Sequence, residues 1–282
     1  MKLARYGQPG KEKPGLIDGD GILRSLAGEI DDIRPGMLSA ASLKKLRRIK
    51  PESLPKVRGN PRLGPPLTGI NKIVCIGLNY TDHAKEVGLP IPDMPIVFFK
   101  PTSSLSGPND PIRMLHKTES KHTDWEVELG VVIGRTAIDV PEADALDYVA
   151  GYCVCHDVSE RRFQGYGSGQ WVLGKSGDTF CPLGPWLVTA DEVPDPQKLK
   201  LWCKVNGKTM QDGTTANMIF PVAHLISFVS RFMSLQPGDV MATGTPAGVG
   251  QGRKPRVFLK AGDKVRLGIE GMGEQQAKVV AP

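Results

Sequence analysis

Apolar residues come in short runs, several of them closed by glycine, proline or asparagine. Residues 73–77 (IVCIG) form an unbroken apolar run ending at glycine, and 96–100 (IVFFK) form another. Residues 126–134 (EVELGVVIG) alternate and then turn wholly apolar, and 148–159 (YVAGYCVCHDVS) behave alike. Later runs at 185–190, 199–207, 239–245 and 263–271 have the same character, with Asn206-Gly207 as a strong turn signal. Helical spacing appears over 80–87 and over 217–235, where Pro221 falls near the first turn, and a short basic helix is predicted within 38–49. Strands therefore outnumber helices, and no regular β-α-β alternation appears. The pattern predicts a mostly β (α+β) fold, a roll or sandwich rather than a doubly wound sheet.

The first 36 residues alternate apolar pieces with turns such as Pro14-Gly15, which predicts small hairpins. Five prolines between 51 and 66 read as a linker. These features predict a small N-terminal domain with its linker over 1–69 and a larger domain over 70–282. Glycine (33) and proline (24) are abundant but aperiodic, which excludes collagen and fits many turns.

Charge adds a second division. The formal charge is +6, yet residues 1–70 carry +7 and residues 71–282 carry −1. The basic run from Lys44 to Arg62 holds no aromatic residue, so it lacks a platform for stacked bases. It reads as a solvated helix face and linker, and no nucleic-acid partner is expected. Five cysteines, with no C-x-x-C pair, sit singly in apolar runs and read as reduced, buried thiols of a cytoplasmic protein. No apolar stretch is long enough to span a membrane, and MKLARYGQPGKEKPG has no apolar core of a secretory signal.

Residues 169–176 (GQWVLGKS) match the phosphate-binding pattern G-x-x-x-x-G-K-[ST]. That chemistry needs a strand before the glycine and a helix opening at the lysine. FQGYGSG precedes the match and SGDTFCPLGP follows it, so the nucleotide reading is rejected and Lys175 needs another role.

Glu126 and Glu128 lie two apart in an apolar strand, so they share a face, while Trp125, Val127, Leu129 and Val131 take the other. Two acids on such a strand are costly unless paired or bound to a cation; the alternative is an acidic face that meets water. Asp157 closes another apolar run in phase with Cys153 and Cys155. Three carboxylates converging at strand ends would make an all-oxygen site suited to Mg²⁺ or Mn²⁺ rather than Zn²⁺. His83 and Glu86, at i and i+3, could form a water-activating pair on a mobile helix, or an incidental pair on an exposed one. Arg161, Gln164 and Lys175 could hold an anionic substrate, or lie on the surface. Thr243 to Pro246 form a turn able to offer a hydroxyl and N–H groups to an anion.

Taken together, CIGLNYTDHAKE, WEVELGVVIG, HDVSERRFQ, GKSGDTFCPLGPWLVT and MATGTPAGVG resemble the fumarylacetoacetate hydrolase family over residues 70–280. The N-terminal LARYGQPGKEKPGLIDGDG and the SGQW before GKS resemble a bacterial branch often labelled ureidoglycolate lyase or 2,4-diketo-3-deoxy-L-fuconate hydrolase. The resemblance implies the mixed β-sandwich roll of the family's C-terminal type, usually a homodimer. It implies Glu126, Glu128 and Asp157 as ligands of Mg²⁺ or Mn²⁺, and His83 with Glu86 as the water-activating dyad. It further implies Lys175 as catalytic, and Tyr80, Arg161, Gln164, Lys175 and Thr245 as contacts to a small 2-oxo or 2,4-dioxo acid. Leu78, Arg162 and Gly177 depart from the residues common in relatives, which bears on substrate size and specificity.

The reaction implied is hydrolysis of a C–C bond in an acylpyruvate or a diketo-deoxy sugar acid, releasing pyruvate or a related 2-oxo acid. The rivals are oxaloacetate decarboxylation, 2-oxo acid isomerisation or ureidoglycolate cleavage at the same site. A non-catalytic protein binding an acidic partner through its basic N-terminal segment is the rival from another class.

Overall fold

The computed structural model describes residues 1–165 and 169–282; Ser168 of the SGQW stretch lies outside the described residues. A nine-stranded sheet runs, in spatial order, through Leu23–Ser25, Lys13–Ile17, Lys2–Tyr6, Leu187–Thr189, Val149–His156, Val127–Ile133, Val240–Ala242, Ile73–Gly77 and Ile96–Lys100. All neighbours are antiparallel except Val240–Ala242 and Ile73–Gly77. A second sheet orders Lys208–Thr214, Lys200–Val205, Lys264–Ile269, Gly273–Val280 and Ile112–Arg113. This is the mostly-β sandwich that the strand count predicted.

The alternation along each central strand decides which core a side chain joins. Val127, Leu129 and Val131 pack with Leu201, Leu267 and Ile269 of the second sheet. Val132, Cys75, Cys153 and Cys155 point the other way, into a core shared with Leu3, Leu16, Leu43 and Leu46 of the N-terminal segment. The large sheet is thus covered on both faces, which explains why its middle strands read as continuous apolar runs. Each such aliphatic side chain contributes about 1.5–3 kcal/mol by leaving water.

The N-terminal segment supplies the second cover. Ser39 caps the helix Ala40–Leu46 by accepting the Ser42 N–H at 3.2 Å, and Leu43 and Leu46 face inward. Lys44, Lys45, Arg47 and Arg48 face solvent on the opposite side. The proline-rich stretch is packed more closely than a linker: Leu54 and Leu67 are buried, and bridges join Arg24 to Lys56 and Tyr6 to Leu63.

Two helices follow. Thr81–Val87 ends at Gly88, whose φ of 71° stops the helix. The second covers only Val222–Ser230, shorter than the expected 217–235. Pro221 has no N–H and biases Phe220 away from helical backbone, so the helix starts after it. At the far end, Leu235 leaves the helix to pair with Ala137 as a β-bridge. Among the described residues no helix is long and apolar enough to cross a membrane.

Candidate metal centre and active site

Strand register assembles the acidic cluster. In the antiparallel pair, Glu128 faces Cys155 and Val127 faces His156. One step further, the Asp157 N–H donates to the Glu126 carbonyl at 3.0 Å. Glu126, just before one strand, therefore meets Asp157, just after the other, and Glu128 shares their face. One oxygen from each of the three lies within 4.8 Å of the others, and all three residues are buried. The acidic face does not meet bulk water, so the solvated alternative fails.

Cations and one backbone dipole serve these acids. Lys175 Nζ donates to Glu126 Oε2 at 2.8 Å and to Asp157 Oδ2 at 2.7 Å. Lys100 Nζ donates to the other Asp157 oxygen at 2.6 Å and to the Val158 carbonyl at 3.1 Å. Arg161 pairs with Glu126 at 2.6 Å and Asp124 at 2.9 Å. Glu128 accepts the Gly244 N–H at 2.8 Å. Gly244 holds φ at 93°, and a Cβ there would lie 2.8 Å from Asn79 Cβ, so the turn needs glycine to reach the acid.

The two glutamates differ as a result. Burial pushes the Glu126 carboxyl up, but Arg161 and Lys175 outweigh it and hold the group well below the usual carboxylate range. Burial, then Asp157 and Glu126, push Glu128 well above that range. For Lys175, burial opposes the charge but Asp157 and Glu126 prevail, so it stays an ammonium. An all-oxygen set this close, with Glu128 short of a cationic partner, fits a hard dication such as Mg²⁺ or Mn²⁺.

A cavity of about 280 Å³ opens over the cluster. It is lined by Glu126, Glu128, Asp157, Arg161, Gln164, Lys175, Thr245 and, across the space, His83. His83 Nδ1 donates to Glu86 Oε2 at 3.2 Å, and Glu86 Oε1 accepts the Gly248 N–H at 2.9 Å. This His83 is buried, so the pair is not an incidental one on an exposed helix.

Of the expected substrate contacts, Tyr80 lies away from the cavity, while Arg161, Gln164, Lys175 and Thr245 line it with most of their polar groups already engaged. Tyr80 does not line the cavity: its ring is fully buried in the core between the sheets, because extended backbone bridging Met218 turns it inward. Arg161 lines the cavity, but its guanidinium is committed to Asp124, Glu126 and, at 2.9 Å, Gln164 Oε1. The Thr245 hydroxyl donates to the Val127 carbonyl at 2.8 Å and accepts from Gln211 at 2.7 Å. Lys175 closes the helical turn Val172–Lys175 instead of opening a helix, and its ammonium faces acids.

Sequence reasoning missed Lys100, Asp124 and Gln211. Lys100 ends the strand Ile96–Lys100, where a lysine usually reaches solvent, yet its side chain is fully buried. Asp124 is in phase with Glu126 and Glu128 and accepts N–H groups from Trp125, Gly250 and Gln251. The D-x-E-x-E spacing was the signal available.

Residues 72–280 match the family described as fumarylacetoacetate (FAA) hydrolase C-terminal. A relative from Burkholderia lata that carries only a general hydrolase name is 58% identical over 276 residues, 98% of this chain and 97% of its own. Fumarylacetoacetate hydrolase from Exiguobacterium antarcticum is 35% identical with a TM-score of 0.87, each chain covered to 100%. Maleylpyruvate hydrolase from Sphingobium sp. SYK-6, solved with manganese(II) and pyruvate, is 30% identical with a TM-score of 0.84, covering 100% of this chain and 99% of that one. On fold, acidic cluster and sequence alike, the chain belongs to the fumarylacetoacetate hydrolase family.

Proposed function

We propose that the protein hydrolyses a C–C bond in a 2,4-dioxo acid of the acylpyruvate type, releasing a 2-oxo acid. The observation that supports this most is that the three-carboxylate cluster and His83, which is held by Glu86, face one cavity. Glu126, Glu128 and Asp157 would hold Mg²⁺ or Mn²⁺, which supplies Lewis acidity toward the carboxylate and 2-oxo oxygens of the substrate.

The chain's own residues carry the proton transfers. With Nδ1–H held by Glu86, the free His83 Nε2 takes a proton from water, and Glu86 stabilises the imidazolium that forms. The hydroxide adds to the distal carbonyl carbon. The bond between that carbon and the methylene breaks, and its electron pair passes into the enolate of the departing 2-oxo acid. The Lys175 ammonium, fixed by two carboxylates, opposes the charge that develops there. His83 returns the proton to the enolate carbon, so a carboxylic acid and a 2-oxo acid leave.

His83→Ala tests this reading. Hydrolysis of acetylpyruvate should fall by about 10²–10⁴-fold while Mn²⁺ affinity stays unchanged. Undiminished hydrolysis would refute the mechanism. Retained oxaloacetate decarboxylation in a variant that has lost hydrolysis would show that the attacking water, not enolate formation, needs the dyad.

A further inference from the structure

We propose that the cavity is built for a 2-oxo acid whose far end is an uncharged apolar group and not a second carboxylate. The proposal rests on the hydrolase reading and narrows its substrate class.

The cavity has two chemically distinct parts. One holds the acids and their cations. The other is formed by Leu78, Val87, Leu89, Ile96, Phe98 and Trp171. Val87 stands one helical turn after His83, so the apolar part continues from the dyad along the same helix face. Phe98 links the parts: its ring centroid lies 5.1 Å from Lys175 Nζ and 5.3 Å from the Trp171 ring.

Two backbone features maintain this wall. Leu78 lies in the left-handed region at φ 50°, which a leucine adopts at a cost, and its side chain lines the cavity. At Gly77 a Cβ would fall 2.2 Å from Trp171 Cζ3, so the missing side chain is what lets the indole lie against the strand end.

A carboxylate at the apolar end would find no counter-charge. Among the described lining residues the permanent cations are Arg161 and Lys175. Arg161 is bonded to Asp124 and Glu126, and Lys175 to Glu126 and Asp157. A charged tail would lose water without gaining a cationic partner among the described lining residues, whereas each added methylene would gain by leaving water.

The test measures binding and turnover separately in the Mn²⁺-loaded full chain. Straight-chain 2-oxo acids from 2-oxobutanoate to 2-oxooctanoate should bind about fourfold tighter per methylene until the cavity is filled. 2-Oxoglutarate and 2-oxoadipate should bind at least tenfold more weakly than the monoacids of equal length. Leu78→Ala should flatten the chain-length gain. Leu89→Lys, at an exposed rim position, should fold normally and raise dicarboxylate affinity. Equal or tighter binding of the dicarboxylates, or no gain with length, overturns the proposal. If the chain-length gain holds but no acylpyruvate is hydrolysed, the hydrolase reading falls and the apolar-tail site stands. If acylpyruvates are hydrolysed without regard to tail, the reverse is true.

Discussion

Two sets of buried acids lie within a few residues of each other and are held in opposite ways. Glu160 accepts from the Ser120 hydroxyl at 2.7 Å, the Thr123 hydroxyl at 2.9 Å and the His122 N–H at 3.0 Å. Asp124 takes three backbone N–H groups besides Arg161. These donors are fixed parts of the fold, and neither acid lines the cavity. Glu126 and Asp157, by contrast, are served mostly by ammonium and guanidinium groups on side chains, and they open onto the cavity. A carboxylate saturated by rigid dipoles is structural. A carboxylate paired with side-chain cations at the edge of a cavity can share its oxygens with a dication, so surroundings, not burial, separate the two sets.

The largest expected effect breaks the second set. Glu128→Gln keeps the shape and the Gly244 N–H partner but removes a charge that a dication needs. Hydrolysis should fall by about 10³-fold, or roughly 4 kcal/mol of barrier. Mn²⁺ affinity should fall with it, while the melting temperature of the metal-free protein stays level or rises, because a carboxyl pushed up by burial and acidic neighbours is replaced by a neutral amide. Titration calorimetry and thermal melts check both halves; full Mn²⁺ affinity in the variant would refute the ligand assignment.

The converse change belongs to the first set. Glu160→Ala strips the acceptor from two hydroxyls and from the backbone N–H groups of His122 and Arg162 in a fully buried place. Stability should drop by about 3 kcal/mol, visible in denaturant midpoints, and saturating Mn²⁺ should not restore the difference from wild type. Restoration by metal would mean that Glu160 belongs with the cavity cluster after all.

The contrast explains what could be read from the chain. Strand period two put Glu126 and Glu128 on one face, and the phase of Cys153, Cys155 and Asp157 put the third acid opposite, so the acidic cluster was legible. The same period also admits Asp124, and spacing alone cannot separate it: its role depends on N–H groups of Gly250 and Gln251, over a hundred residues away. Gln275 shows the same limit. A glutamine in an alternating strand reads as exposed, yet its amide donates to three carbonyls, of Val154, Pro182 and Gly184, in the interior. Tyr80 was misplaced because a motif gives a residue's neighbours in sequence and not the side to which its backbone turns. The helix at 217–235 was overextended because the apolar spacing carried more weight than the break that Pro221 imposes.

Lys100 gives the smallest and most discriminating case, since it touches the cavity cluster from behind. Its ammonium holds Asp157 Oδ1 while Lys175 holds Oδ2, and both Lys100 and Asp157 side chains are fully buried. Lys100→Met preserves most of the volume but leaves an acid oxygen and the Val158 carbonyl without their donor. In the metal-free protein the loss should be about 2 kcal/mol. A dication bound by Asp157 would compensate the exposed charge, so the stabilisation by Mn²⁺ should be larger in the variant than in wild type. The two melting curves should therefore converge as metal is added, opposite to the behaviour expected of Glu160→Ala. If metal raises both proteins equally, Lys100 serves the fold alone, and the division between saturated and shared oxygens must be redrawn to place Asp157 Oδ1 on the structural side.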